Sequence, residues 1–199
     1  MAPMILNKKL NLVMPVETDA GKIWVHSVPI SMEVFDANYM ILTKTLAYLY
    51  LNGIGPSFSP RIARRALKDV AKEMNDEEDI SANLMMEIYR ITNFLMPKDG
   101  RWQTIPFAEV KAKKLVDEQL LSEVENAIVY FIVASAVHLR SELQMAYQGL
   151  KSNWNVEITS LNVTEYGNSL GTSTQAGTTG ENIPDAPKLV VPRVSSIPS

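Results

Sequence analysis

The sequence predicts a mainly helical α+β fold, with an N-terminal β-hairpin packed on a helical bundle and an extended C-terminal arm. Three observations lead to this prediction. Residues 10–29 hold two β-rich runs around a turn, residues 31–150 carry apolar residues at helical spacing, and glycine, serine, threonine and proline dominate from residue 167 onward. We therefore divide the chain into a hairpin (1–30), a helical core domain (31–154) and an arm (155–199).

The composition excludes several classes of function. No cysteine occurs in the 199 residues, which excludes disulfides, thiolate zinc sites and cysteine nucleophiles. A formal net charge of −3 argues against a general affinity for nucleic-acid backbones. Residues 1–17 lack the uninterrupted apolar run of a secretory signal, so we expect the protein to act in the cytoplasm.

The N-terminal hairpin is expected to turn at residues 18–21, where Gly21 is free to adopt a positive φ. Pro15 and Pro29 each remove a ladder donor, which suits edge strands and strand ends. Two strands alone are marginally stable in water. We therefore expect the hairpin to pack on the helices, or to join a sheet supplied by another copy or another protein.

Two helices are predicted to follow the hairpin. Ser31 caps the first, which runs through Tyr50 with a wide apolar face. Residues 53–60 are expected to form a loop. Ser59 as N-cap and Pro60 at the first helical position then begin the second helix.

Apolar spacing predicts a third helix over residues 81–96, followed by a sharp break at the Pro-Lys-Asp-Gly of residues 97–100. Residues 101–106 are interpreted as a short crossing segment. Residues 107–116 are expected to form a short fourth helix before the longest apolar run in the chain.

That run lies within residues 117–150, which we predict to be one central, buried helix. Asp117 is the expected N-cap, Gly149 the expected end, and residues 127–137 are apolar except for Ser135. A bilayer needs about 20 apolar residues in succession, and this run is shorter. The pattern therefore favours a core helix over a membrane span.

Motifs of catalysis and cofactor binding are absent from the sequence. Phosphate-binding glycine loops and nucleophile elbows do not occur, and His26 and His138 are the only histidines. The acidic residues 76–79 lack the ligand spacing of a calcium loop and suit a solvated helix start. We therefore expect no enzymatic activity, no cofactor and no metal.

Two stretches are candidate interaction sites. The second predicted helix carries a basic face, formed by Arg61, Arg64, Arg65, Lys68 and Lys72. A helix-turn-helix that binds nucleic acid is one interpretation of this face, but the acidic residues that follow would repel phosphates, so a solvated or protein-facing surface is favoured. Within the arm, Leu189, Val190 and Val191 form an apolar island between prolines that suits strand addition to a partner's sheet edge.

The layout resembles that of small proteins of tailed bacteriophages, especially tail assembly chaperones. The residues that carry this resemblance are LNLVMPVETDAGKIWVHSVPIS at 10–31, LMMEIYRITNFLMP at 84–97 and ITSLNVTEYGNSLGTSTQAG at 158–177. The resemblance implies a non-enzymatic protein that binds tape measure or tail tube subunits in the host cytoplasm and keeps aggregation-prone helices soluble. We expect an oligomer without membrane insertion.

Two other functions stay open at this stage. The chain could be a structural virion component, a tail or connector subunit that clasps neighbouring copies through its hairpin and arm. It could also be a regulator that binds nucleic acid through the basic helix at residues 61–72, although the net charge disfavours nucleic acid as a partner.

Overall fold

The computed structural model describes residues 10–51, 55–74, 80–138 and 143–171. These residues form five β-strands and seven α-helices, which confirms the predicted α+β, mainly helical class. In chain order the elements are β1 (Asn11–Thr18), β2 (Gly21–Ser27), α1 (Met32–Leu51), α2 (Gly55–Glu73), α3 (Ile80–Arg90), β3 (Thr92–Lys98), β4 (Arg101–Pro106), α4 (Phe107–Ala112), α5 (Glu118–Val137), α6 (Leu143–Trp154), β5 (Glu157–Thr159) and α7 (Val163–Ser169).

The five strands form one antiparallel sheet in the order β4-β3-β2-β1-β5. The predicted hairpin is confirmed as β1 and β2, with Thr18 paired to Gly21 and a φ of 115° at Gly21. Its neighbours in the sheet are strands of the same chain. β5 pairs only with residues 11–13 of β1, so Pro15 lies where β1 has no second neighbouring strand among the described residues.

The predicted helix over residues 81–96 is wrong in its second half. α3 ends at Arg90, and the chain continues as β3, which pairs with β4 in a second hairpin. Asp99 and Gly100 form its turn with φ angles of 51° and 74°, as a type I′ turn requires. Residues 101–106, interpreted as a crossing segment, are thus an edge strand. Ile91 and Leu95 continue the helical spacing of α3 by coincidence: Ile91 is buried in the main core at the turn before β3, and Leu95 is buried on the opposite face of the sheet.

The central helix is shorter than predicted. Asp117 caps α5 as expected, since its side chain accepts hydrogen bonds from the backbone N–H groups of Gln119 and Leu120. α5 then ends at Val137, where His138 has an extended ψ of 145°. Gly149 lies inside α6 and does not end a helix.

The beginning of α2 also differs from the prediction. Residues 55–60 were expected to lie in a loop but are helical, so Ser59 is buried within the helix and is not its N-cap. Pro56 is tolerated because it lies in the first turn, where backbone N–H groups have no partner within the helix. Pro60 removes one backbone hydrogen bond inside α2. α1 follows the prediction, with a hydrogen bond of 3.3 Å from the Val34 N–H to Ser31 Oγ.

The main core lies between one face of the sheet and the helices, with α5 at its centre. Residues 127–134 of α5 are each fully buried. α5 is the one described helix that is long and apolar enough to cross a membrane, and here its apolar residues pack against the other helices and the sheet. Alternate residues of β1 and β3, Val13 and Leu95, point to the opposite face and contact Tyr166 of α7.

The sheet takes strands from all three segments that we distinguished in the sequence. β1 and β2 belong to residues 1–30, β3 and β4 to residues 31–154, and β5 to residues 155–199. Asn11 Nδ2 and His26 Nε2 both bind the carbonyl oxygen of Leu161, at 2.8 and 3.0 Å, and hold the segment between β5 and α7 against the hairpin. Residues 172–199, the greater part of the predicted arm, lie outside the described residues.

Candidate functional site

The predicted basic face lies on the exposed side of α2, and all five of its side chains reach solvent. Three of them are engaged with the protein itself. Arg65 forms an ion pair with Asp69 at 2.9 Å, Arg61 Nε donates to Asn153 Oδ1 at 3.2 Å, and Arg64 forms an ion pair with Glu125. Lys68 and Lys72 form no ion pair with another described residue. The face is therefore partly structural and partly free to meet a partner.

Glu125 is the centre of a buried charged cluster that the sequence did not reveal. Its side chain is only 2% exposed, and its carboxylate accepts hydrogen bonds from Lys111 Nζ at 2.7 Å and from the Tyr89 hydroxyl at 2.8 Å, besides its ion pair with Arg64. Lys111 Nζ also lies 3.0 Å from the Tyr89 hydroxyl oxygen. Four elements, α2, α3, α4 and α5, are joined at this one carboxylate.

The cluster changes the acidity of its members. Burial raises the pKa of Tyr89, and the hydrogen bond from Lys111 only partly opposes it. Partial burial alone would lower the pKa of Lys111, but its hydrogen bonds to Glu125 and Tyr89 outweigh that effect and the pKa is raised. Lys111 therefore stays protonated and Tyr89 stays neutral at physiological pH, which suits a role in stability better than proton transfer.

One signal in the sequence could have revealed the cluster. Glu125 lies four residues after Leu121 and three before Ile128, so helical spacing places it on the core face of α5. Acidic residues near the beginning of a helix also complement its macrodipole, so the charge of Glu125 by itself indicates no burial. A buried carboxylate needs partners, but helical spacing could not indicate that these come from α2, α3 and α4.

Two adjoining clefts follow α2, and we call them together the α2 groove. The first has a volume of about 570 Å³ and lies between α2, α3 and α5. The second, of about 1120 Å³, lies between α2, the first half of α5 and the segment that joins α4 to α5. Both are lined by Arg61, Arg64, Ser122 and Asn126, so they form one continuous depression.

A separate apolar surface lies on the first half of α1. Met32 is 71% exposed, Tyr39 51% and Met40 42%. Met32 lies seven positions before Tyr39 and eight before Met40, so the three share one side of the helix, with the exposed Asp36 between them. The described body of the protein covers mainly the second half of α1, where Leu42, Leu46 and Leu49 are buried. We call Met32, Tyr39 and Met40 the α1 stripe.

The two histidines, His26 and His138, pack within the fold. His26 is buried on the second face of the sheet and burial lowers its pKa. His138 lies at the C-terminal end of α5, with its ring edge-on to Tyr50 at 6.0 Å. Among the described residues, no three His, Cys, Asp or Glu side chains lie close enough together to hold a metal ion. The predicted interaction residues Leu189, Val190 and Val191 and the acidic residues 76–79 lie outside the described residues.

Comparison with known proteins finds no matching family model, no similar curated protein and no similar solved structure.

Proposed function

We propose that this chain is a non-enzymatic assembly protein of tailed bacteriophages, which binds helical segments of tape measure or tail tube subunits in the host cytoplasm. The observation that carries the proposal is the α1 stripe. The phage setting comes from the resemblance in layout described above, and the mode of action comes from the surface of α1.

The α1 stripe has the chemistry that such binding needs. Exposed apolar residues grouped on one side of an element mark interaction sites in soluble proteins. Methionine side chains are flexible and polarisable, so they adapt to partners of different shape. Tyr39 adds a large, rigid contact area with a polar tip. An amphipathic helix of a partner could cover this side of α1 and be kept from aggregating until assembly.

Co-expression with a tape measure protein tests the proposal. We expect the parent chain to bring the tape measure into the soluble fraction and to co-purify with it. Tyr39→Glu combined with Met40→Glu places two charges on the α1 stripe and should abolish both effects. Met86→Glu is the matched control, because Met86 is an exposed methionine on α3 (62% exposed) outside the stripe.

Two outcomes would refute the proposal. The tape measure could remain insoluble with the parent chain, or the stripe variant could rescue it as well as the Met86→Glu control does. Thermal melts of both variants distinguish loss of the binding surface from loss of folding. Surface substitutions are expected to change the free energy of unfolding by only about 0.5 kcal/mol.

A structural virion component is the second candidate, and the free edge of β4 is the observation that favours it. β4 has no neighbouring strand on its outer side among the described residues, and a free edge can pair with a strand of another copy. The hairpin is a less accessible clasp, because β2 is paired on both sides and β1 is paired with β5 at residues 11–13. Mass spectrometry of purified particles decides between the candidates: stoichiometric amounts identify a virion component, and absence excludes one.

A further inference from the structure

The first cleft of the α2 groove combines positive charge with apolar surface. Its walls carry four cations and no carboxylate, and Ile62, Leu67, Ala71 and Met85 line it as well. The cations are Arg61, Arg64, Arg65 and Lys68. This local excess of positive charge stands out in a chain whose formal net charge is −3.

We propose that the α2 groove binds an acidic amphipathic helix of a partner protein. Its carboxylates would pair with Arg61, Arg65 and Lys68, and its apolar side would cover Ile62 and Met85, which are both half-buried. This inference rests on the proposed function in one respect, that the chain acts by binding proteins. It assigns a second surface, because no residue of the α1 stripe lines the groove.

The existing contacts leave three of these cations, Arg61, Arg65 and Lys68, available to a partner. The Arg65–Asp69 pair is exposed, and such pairs contribute little, so a partner carboxylate can replace Asp69 at small cost. Lys68 forms no ion pair with another described residue. Arg64 is held in place by the buried Glu125, so part of the positive wall is ordered before a partner arrives.

The dimensions suit a helix. From Arg61 to Ala71 the groove follows about 15 Å of α2, at roughly 1.5 Å per residue. A partner helix of about three turns has this length. Helices commonly bind in such grooves through an apolar side with charged residues along its margins.

Nucleic acid fits the groove less well. The second cleft is lined by Asp117, Glu118 and Glu123 beside Lys111 and Lys114, and these carboxylates would repel a phosphate backbone that continued along the groove. A peptide can place lysines opposite the carboxylates. The apolar lining also offers a helix side chains to cover, whereas phosphates gain nothing from it.

Designed peptides test the proposal directly with the full chain. The probe is a fluorescein-labelled helix of about 18 residues with leucine at positions i, i+3, i+4 and i+7 and glutamate at the flanking positions. Its counterpart carries lysine in place of every glutamate. Fluorescence anisotropy should show binding of the glutamate peptide that weakens with salt, and about tenfold or weaker binding of the lysine peptide.

Charge reversal on α2 supplies the matched variants. Arg61→Glu combined with Lys68→Glu should weaken binding of the glutamate peptide about tenfold or more and should improve binding of the lysine peptide. Lys98→Glu combined with Lys151→Glu is the control, with the same change of net charge at two exposed residues outside the groove. Arg61 contacts Asn153, so its substitution removes a contact within the protein as well as a charge. The single variant Lys68→Glu keeps that contact, and thermal melts of all variants detect any folding defect.

The proposal is overturned if both peptides bind equally, if α2 charge reversal acts no differently from the control, or if duplex DNA binds and the glutamate peptide does not. The last result would assign the basic face to nucleic acid. Failure here is distinct from failure of the proposed function, because tape measure solubility is tested on the α1 stripe. The glutamate peptide can bind whether or not that assay succeeds.

Discussion

Lys111 Nζ on α4 lies 2.7 Å from Oε1 of Glu125, a carboxylate that sits 2% exposed on the central helix. The Lys111 side chain is 42% exposed. A half-exposed cation thus neutralises a buried anion. Arg64, whose side chain is 46% exposed, does the same at the other carboxylate oxygen of Glu125, Oε2. This arrangement avoids the cost of burying both members of an ion pair, and it ties α2 and α4 to the core through their surface residues.

Removing the Lys111 ammonium group is expected to destabilise the fold. Lys111→Met keeps the aliphatic stem but leaves the buried carboxylate with one cation fewer, which should lower the free energy of unfolding by about 1–3 kcal/mol. Urea titration measures the loss. Lys113→Met is the matched control, because Lys113 pairs with Glu109 at the surface, where about 0–1 kcal/mol is expected. Equal effects of the two substitutions would contradict a structural role for the Glu125 cluster.

Two buried tyrosines should respond oppositely to loss of their hydroxyl groups. The Tyr130 hydroxyl lies 3.1 Å from that of Tyr50, so Tyr130→Phe should cost about 1 kcal/mol. The Tyr147 hydroxyl is buried with no hydrogen-bond partner among the described residues, so Tyr147→Phe should be neutral or stabilising. Thermal melts of both variants check the difference. A clear loss of stability in Tyr147→Phe would show that its hydroxyl does have a partner.

His26 should make stability depend on pH. Burial lowers its pKa in the folded state from the ordinary value near 6.5, and the hydrogen bond with the Leu161 carbonyl opposes this only in part. As the pH falls below that value, the unfolded chain binds a proton more readily than the folded one. The stability contributed by neutral His26 is therefore complete above the ordinary pKa and is lost as the pH falls toward the folded-state pKa.

The comparison is between the parent chain and His26→Gln, whose amide can still donate to the Leu161 carbonyl. Urea midpoints at about pH 7.5 and about pH 5.5 should differ less in the variant than in the parent. If both chains lose the same amount, other titrating groups cause the whole dependence.

The second hairpin should depend on the backbone of its turn. Gly100 has a φ of 74°, and a Cβ there would meet no atom within 4 Å, so the cost of Gly100→Ala is conformational alone. We expect a loss of about 1 kcal/mol, measured by urea titration. Asp99→Asn is the control and should be nearly neutral, since asparagine also tolerates the φ of 51° at that position. An unchanged stability in Gly100→Ala would mean that the turn shifts without penalty.

Local patterns in the sequence predicted the elements whose causes are local. The first hairpin follows from two β-rich runs around a tight turn, and Asp117 was correctly placed as the cap of α5 because capping involves only the next three residues. The second hairpin was missed although Asp-Gly is a strong turn signal. Apolar residues at 84, 88, 91 and 95 also fit a helix, and spacing alone cannot choose between a continued helix and a strand that enters a sheet.

For the candidate sites, too, the sequence revealed only the feature that lies on a single element. The basic face of α2 was visible in the sequence because one helix carries all of it. The α2 groove was not, because its other side comes from α3, α5 and the segment between α4 and α5. The α1 stripe was not visible as an exposed surface, because an apolar side chain shows only that it can be buried, and not whether another part of the chain covers it.

By itself, the sequence determined the class of fold, the β1–β2 hairpin, the beginning of α1 and α5, and the burial of residues 127–134. Each of these depends on neighbours in the chain or on a long apolar run, which solvent excludes wherever it lies. Only the tertiary structure decided that β3 completes the sheet beside β2, that Glu125 meets Lys111, Arg64 and Tyr89, and that the α1 stripe stays uncovered. Those outcomes depend on contacts between residues far apart in the chain, and local spacing carries no information about which distant elements will meet.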